Sequence, residues 1–231
     1  MIKQAVILAG GRGSRMKSSN FNNSLLDIPK PLVEVKGVPI IERILAKLSR
    51  YNISIAIVIN PADEEKFRKK LYKYDIIYCY QNDPLGTGNA LYSAKNFVTD
   101  DLFLVMMGDD ISNLDFDISL NSNVPTVYGF KVEDISQFGA LVLDAKGYAI
   151  EIIEKKLHGK GIANTGIYLM PKQFFDIYNK IPRDEKTGEY YLTDMVKLFY
   201  EKQAPFQVQM IDNWIGINTP NDLKIANKLD L

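Results

Sequence analysis

A chain of 231 residues in which 28 Lys and Arg balance 28 Asp and Glu has no excess positive field with which to hold a nucleic-acid backbone or an anionic membrane. No apolar run approaches the roughly 20 residues that span a bilayer, and the apolar start carries no cleavage-site pattern, so a soluble, cytoplasmic protein acting on small molecules is expected. Cys79 and His158 are the only residues of their kinds, which excludes an internal disulfide, a cysteine-rich metal site and a multi-histidine zinc site.

The first predicted element is the strand Ala5 to Leu8, which empties into Ala9 Gly10 Gly11 Arg12 Gly13 Ser14 Arg15 Met16. Glycines let a backbone turn tightly and bring its N–H groups against a ligand, while the two arginines supply charge for phosphate oxygens. The string is neither a P-loop, which needs Gly-Lys-Ser/Thr, nor a dinucleotide fingerprint, since Met16 stands where the third glycine belongs. A plain strand-to-helix turn with solvated arginines is the competing reading. After a Ser- and Asn-rich stretch from Lys17 to Ile28, unsuited to a core, Pro29 Lys30 Pro31 stiffens the backbone around one lysine.

Ile40, Ile41, Ile44, Leu45 and Leu48 recur at helical spacing and lead to a strand from Ile53 to Ile59. Phe67, Leu71 and Tyr74 suggest a second helix, followed by a strand from Ile76 to Tyr80, a helix from about Asn89 to Phe97 and a buried strand from Leu102 to Met107. This is the βαβ rhythm of a parallel sheet, whose ligands lie beyond the carboxyl ends of its strands, where the glycine loop, Gln81 and Asp109 all fall. Shorter β-like runs follow at Thr126 to Val132, Ala140 to Leu143, Ala149 to Ile153, Ala163 to Met170 and Phe206 to Met210, with helices near Lys172 to Asn179, Tyr191 to Lys202 and Pro220 to Leu229. No linker or repeat divides the chain. The expected architecture is a single α/β domain over 1–231, with a Rossmann-like, mixed but mainly parallel sheet flanked by helices.

At this point the chain resembles the sugar-1-phosphate nucleotidylyltransferases. The resemblance is carried, in order, by Leu8 to Met16, Pro29 Lys30 Pro31, Gln81 with Leu85 Gly86 Thr87 Gly88, Gly108 Asp109, Phe138 Gly139, Glu154 Lys155, Asn164 Thr165 Gly166, Glu189 to Asp194, and Trp214 through Pro220. Gly188 to Asp194 is similar to the N-acetylglucosamine-1-phosphate uridylyltransferase branch, whereas Trp214, Thr219, Pro220 and Asp222 are similar to the glucose-1-phosphate thymidylyl- and uridylyltransferases. The resemblance implies a nucleotide-binding part over about 1–110 and a sugar-binding part over about 111–231; with the sequence ending near Leu231, the left-handed β-helix domain that accompanies many N-acetylglucosamine uridylyltransferases is not expected.

The family roles carry over residue by residue. Arg15, Lys30 and Asp109 are implied as catalytic. Leu8, Ala9, Gly10, Gly11, Arg12, Gly13, Gln81, Gly86 and Thr87 are implied as nucleotide-binding, with the Gln81 amide donating to and accepting from the imide edge of uracil or thymine. Gly139, Glu154, Lys155, Asn164 and Thr193 are implied as sugar-phosphate-binding, and Asp109 with Asn218 as ligands of Mg²⁺. The implied reaction is NTP plus sugar 1-phosphate to NDP-sugar plus pyrophosphate, with UTP favoured over dTTP and with glucose or N-acetylglucosamine as the sugar. No general base is needed, because a phosphate monoester is already mostly dianionic near neutral pH, its second pKa being about 6. A homo-oligomer is compatible with the sequence.

Three departures stand out: a long Arg15 to Lys30 stretch, Met107 in place of a frequent tyrosine, and Gly216 where thymidylyltransferases carry aspartate. Two rivals stay open. One is a glycosyltransferase of the related nucleotide-sugar-binding architecture, using Asp109 and Asp110 as its acidic pair. The other is a catalytically silent regulatory subunit, against which the presence of Arg15, Lys30 and Asp109 weighs.

Overall fold

The computed structural model describes residues 1–11 and 28–228, so Arg12, Gly13, Arg15 and the stretch from Lys17 to Asp27 lie outside the described residues. Strand β1 (Gln4–Leu8) sits inside the sheet, buried at every position. It is followed by a short 3₁₀ turn over Lys30–Leu32 and by the hairpin strands β2 (Glu34–Val35) and β3 (Val38–Pro39). Lys36 and Gly37 between them both have positive φ, 50° and 75°, the backbone of a two-residue hairpin turn. Then come α1 (Ile40–Leu48), β4 (Ser54–Ile59), α2 (Glu64–Leu71), β5 (Ile77–Tyr80), α3 (Thr87–Tyr92), β6 (Leu102–Met107), β7 (Asp110–Ser112) and α4 (Phe116–Asn121). The second half holds β8 (Thr126–Val132), β9 (Gly139–Leu143), β10 (Tyr148–Glu154), β11 (Gly161–Pro171), α5 (Phe174–Ile177), α6 (Asp194–Glu201), β12 (Phe206–Met210), β13 (Trp214–Gly216) and α7 (Pro220–Ala226).

Among the described residues, nine strands form one sheet in the order β5-β4-β1-β6-β11-β8-β12-β10-β9. The βαβ half is parallel, as expected: β4 and β6 flank β1, and β5 lies outside β4. The expectation of a mainly parallel sheet is corrected by the second half, for only four of the nine pairings are parallel and five are antiparallel. The reason is connection length. β9 and β10 are joined by the short Asp144–Gly147 turn, too short for the crossover that a parallel neighbour requires.

Side chains alternate across the sheet, and the core therefore divides into two layers. Val6 and Leu8 of β1, with Phe103 and Val105 of β6, pack under α3, α5 and α6 through Leu91, Phe174, Phe175, Met195 and Phe199. Ala5 and Ile7, with Leu104 and Met106, pack on the opposite face under α1, α2 and α4 through Ile44, Leu45, Phe67 and Phe116. Burial of Ile40, Ile41, Ile44, Leu45 and Leu48 on α1 contributes about 1.5–3 kcal/mol per side chain, which holds a helix of nine residues that lacks a side-chain cap. A third, small cluster is the one that shapes the site. Val33, Val35 and Ile40 from the region after Lys30, Ile111 from β7, Ile217 after β13 and Ala226 of α7 meet there and draw three remote segments to one place.

Candidate active site

Lys30, Asp109 and Asn218 come from those three segments. The Lys30 ammonium pairs with the Asp109 carboxylate and donates to Asn218 Oδ1 at 3.1 Å. Asp109 follows β6, where Gly108 N–H donates to the Leu8 carbonyl at 2.9 Å and so ties this turn to the end of β1. β7 and β13 pair antiparallel, with Asp110 opposite Gly216, and Ile217 N–H donates to the Asp109 carbonyl at 3.3 Å. Asn218 is set by the start of α7. Asp222 accepts from the Asn218 and Thr219 N–H groups at 2.9 and 2.7 Å, while Thr219 Oγ1 accepts from Asp222 N–H at 3.2 Å, a reciprocal cap.

Asp110 lies beside this group, its Oδ2 accepting from the Trp214 indole N–H at 3.2 Å. Burial, then the adjacent Asp109 charge, push its carboxyl well above the usual carboxylate range, against the pull of Lys30 and of the Trp214 hydrogen bond. Gly216 leaves the space this requires: a β-carbon there would stand 3.0 Å from Asn218 Nδ2 and 3.2 Å from Asp110 Oδ1. Trp214 packs against Phe130 and edge-on to Phe138 at a ring separation of 5.3 Å, which agrees with a packing role.

Two clefts open on either side of Asp109. The first, of about 580 Å³, is lined by Leu8, Ala9, Gly10, Gly11, Lys30, Gln81, Gly86 and Thr87, which are all the described residues assigned to the nucleotide together with Lys30. The second, of about 1140 Å³, is lined by Gly139, Glu154, Lys155, Asn164 and Thr193, the five assigned to the sugar phosphate. Thr87, Met107, Asp109, Glu189 and Asn218 belong to both walls. The clefts do not respect a boundary near residue 110: the first takes in Thr187, Glu189 and Asn218, and the second takes in Thr87 and Met107.

The walls are rigidly cross-tied. Gly88 N–H donates to the Tyr190 carbonyl and Tyr190 N–H to the Leu85 carbonyl, both at 2.8 Å, and Thr87 Oγ1 accepts from Leu192 N–H at 2.9 Å. Gly86, at φ 92°, allows this approach, since a β-carbon there would lie 2.7 Å from the Tyr190 carbonyl oxygen. On the sugar side, Glu154 pairs with Gly139 across β10 and β9, and its carboxylate covers the position a Gly139 side chain would fill. Lys155 follows with a positive φ of 49°, a conformation that costs a non-glycine residue on the order of 1 kcal/mol and turns the chain at the cleft wall. The pairing of β11 with β8 breaks between Asn164 and Tyr168, and there Asn164 Nδ2 donates to the Tyr168 hydroxyl at 2.8 Å while its Oδ1 accepts from Gly166 N–H at 3.1 Å.

The Gln81 amide is placed differently from the expectation of a group that both donates and accepts toward a base. Its Nε2 donates to the Gly86 carbonyl at 3.0 Å and to Asn89 Oδ1 at 2.9 Å, so both of its protons are used inside the protein. Asn89 was not singled out from sequence, nor was Glu189 given a role. Asn89 stands on the first turn of α3, three residues after Gly86, and only the folded loop shows what it touches. His158 lies on an exposed loop and lines neither cleft, and Cys79 is a half-buried strand residue whose thiol pKa is pushed up by burial. Among the described residues no group of three or more His, Cys, Asp or Glu could hold a metal, and no helix is long and apolar enough to cross a membrane.

The glycine-bearing end of β1 thus faces a paired lysine and aspartate where two clefts meet. The chain belongs to the nucleotidyl transferase family, whose sequence model matches residues 4–231. It is 33% identical over 225 residues to the bifunctional protein GlmU of Methanococcus aeolicus, covering 96% of this chain and 53% of that protein. The chain thus spans about half the length of that relative. It is 29% identical to the D-glycero-alpha-D-manno-heptose 1-phosphate guanylyltransferase of Campylobacter jejuni, over 95% of this chain and 96% of the relative. Among solved structures it resembles HddC from Yersinia pseudotuberculosis complexed with GMP-PN, at TM-score 0.74 and 26% identity over 98% of this chain and 99% of that one. A Bacillus anthracis protein assigned as a glucose-1-phosphate thymidylyltransferase, solved with sucrose, matches at TM-score 0.80 and 24% identity over 100% of this chain and 97% of that one, a likeness of fold alone.

Proposed function

We propose that the protein joins an NTP to a sugar 1-phosphate, giving an NDP-sugar and pyrophosphate. The observation that carries this is the junction of two clefts at one Lys30–Asp109–Asn218 cluster, because a reaction between two polyanions needs both held against shared cations. An oxygen of the sugar phosphate attacks the α-phosphorus in line, the bond from that phosphorus to the pyrophosphate oxygen breaks, and pyrophosphate leaves. Lys30 is placed to neutralise charge on the reacting phosphates, and Arg15 is assigned to the triphosphate from the sequence. Gly139, Glu154, Asn164 and Thr193 bind sugar hydroxyls, with Lys155 on the sugar phosphate.

Asp109 and Asn218 fit a Mg²⁺ ion. Both present hard oxygen donors, and both converge on one positive charge, the Lys30 ammonium. When bound, the ion supplies charge neutralisation and orientation of the triphosphate. UTP is the favoured nucleotide, with dTTP next, and glucose or N-acetylglucosamine 1-phosphate the favoured acceptor. A second reading, GTP with a heptose 1-phosphate, is favoured by the Campylobacter guanylyltransferase, which this chain matches nearly end to end.

The test is pyrophosphate release with Mg²⁺ across UTP, dTTP, GTP, CTP and ATP, each against glucose, N-acetylglucosamine, galactose, mannose and heptose 1-phosphates. One dominant pair is expected. Silence across the grid with NTP binding intact would overturn catalysis in favour of a regulatory subunit, and glycosyl transfer from an NDP-sugar would favour the glycosyltransferase reading.

A further inference from the structure

Gln81 is 4% exposed, so its side chain is packed and cannot swing freely, and its backbone N–H is tied to the Ile59 carbonyl at 2.9 Å. Which way its amide faces is settled by chemistry. The Gly86 carbonyl can only accept, hence the amide nitrogen must point toward it, and the second amide proton goes to Asn89 Oδ1. The oxygen is left on the opposite side, 3.0 Å from where a β-carbon on Gly10 would stand, against a residue that lines the first cleft. Asn89 is itself oriented: its Nδ2 donates to the Tyr178 hydroxyl at 3.3 Å, which keeps Asn89 Oδ1 turned to Gln81. Tyr178 is fixed by stacking on Tyr92 at 4.2 Å between ring centres.

We propose that Asn89, oriented by Tyr178, is a positioning residue that locks the Gln81 amide oxygen toward the bound base, so that the site selects bases offering an N–H there: uracil, thymine or guanine, against cytosine and adenine. The proposal rests on the nucleotidylyltransfer reading of the same site. Uracil and thymine present N3–H and guanine N1–H on that edge, whereas cytosine N3 and adenine N1 are acceptors. Two acceptors facing one another in a closed site lose a hydrogen bond and leave both groups unsatisfied, worth about tenfold or more in affinity. Without Asn89 only the Gly86 carbonyl still holds the Gln81 amide nitrogen, so turning that nitrogen to a base forfeits one hydrogen bond instead of two.

The test is calorimetric binding of UTP, GTP, CTP and ATP to the full chain in Mg²⁺. Wild type is expected to bind UTP or GTP at least about tenfold more tightly than CTP and ATP. Asn89→Ala is expected to bring that ratio to within about threefold, while Asn89→Asp retains it, because the aspartate carboxylate accepts from the Gln81 amide nitrogen. Tyr178→Phe shifts the ratio in the same direction as Asn89→Ala, which keeps the idea testable should the alanine variant not fold. Preference for CTP or ATP in wild type, or an unchanged ratio in Asn89→Ala or in Tyr178→Phe, overturns the proposal alone. Absence of binding for all four nucleotides overturns the nucleotidylyltransfer reading together with it.

Discussion

Lys30 is the residue on which the site's electrostatics turn. It stands 11% exposed against a carboxylate that is 28% exposed, with Asp110 next in sequence carrying a second acidic group into the same space. Replacing it by methionine keeps the stem's apolar contacts and removes the charge. The expected result is a fall in turnover of roughly 100-fold or more, the usual cost of losing one electrostatic contact to a developing charge, with the melting transition still cooperative. Unchanged pyrophosphate release in Lys30→Met would remove the lysine from the mechanism. Gly10 supplies a second check at this scale: in Gly10→Ala the new methyl meets Gln81 Oε1 at 3.0 Å, tight enough that one of them must shift. Nucleotide affinity should drop several-fold while affinity for the sugar 1-phosphate is kept, as two separate binding titrations would show.

At the level of elements, short structural devices fix the site more than the long helices do. α7 begins with the reciprocal Thr219–Asp222 cap, and the same Asp222 carboxylate holds the Asn218 backbone. Asp222→Ala should therefore cost about 1 kcal/mol in chemical denaturation and also raise the Mg²⁺ concentration needed for half-maximal activity. A loss of stability without any change in metal requirement would separate the cap from Asn218. The β9–β10 turn carries a pH signature. Asp144 accepts from the Tyr148 and Lys146 N–H groups, both at 2.9 Å, and these bonds hold its carboxyl below the usual carboxylate range. With the folded value depressed, its contribution is present above the unfolded carboxylate range and lost as pH falls through the folded one. Asp144→Ala should melt lower than wild type at pH 7, with the gap closing as the pH is taken toward 3.

For the whole molecule, one consequence follows from two clefts sharing a wall. Both substrates can be present at once, so initial-velocity lines are expected to intersect and the α-phosphorus to be inverted in a single displacement. Parallel lines, or label from α-³²P-NTP retained on denatured protein, would mean a covalent intermediate and sink that mechanism.

What was legible in the sequence follows from periodicity and from local chemistry. Strands β1, β4 and β6 and helix α1 were readable because each buries a continuous or helically spaced apolar set of at least four residues, whereas β5, which buries none of its four, was readable from its β-branched and aromatic run alone. The described residues assigned to nucleotide and sugar phosphate came from short ordered motifs and line the two clefts, but other lining residues, such as Glu151, Lys180 and Lys197, belong to no motif. The two-residue strands β2 and β3, the three-residue strands β7 and β13 and the six-residue α4 are too short to carry a period, and the antiparallel half of the sheet depends on turn lengths rather than on the strands themselves. By itself, then, the sequence determined the βαβ half, the family and the candidate residues, because those are encoded by neighbours in the chain. Only the tertiary structure decided that Lys30, Asp109 and Asn218 meet over the small Val33–Ile111–Ile217 cluster, and that Asn89 and Gly86 take both protons of the Gln81 amide, because those contacts form between segments whose separation no local pattern records.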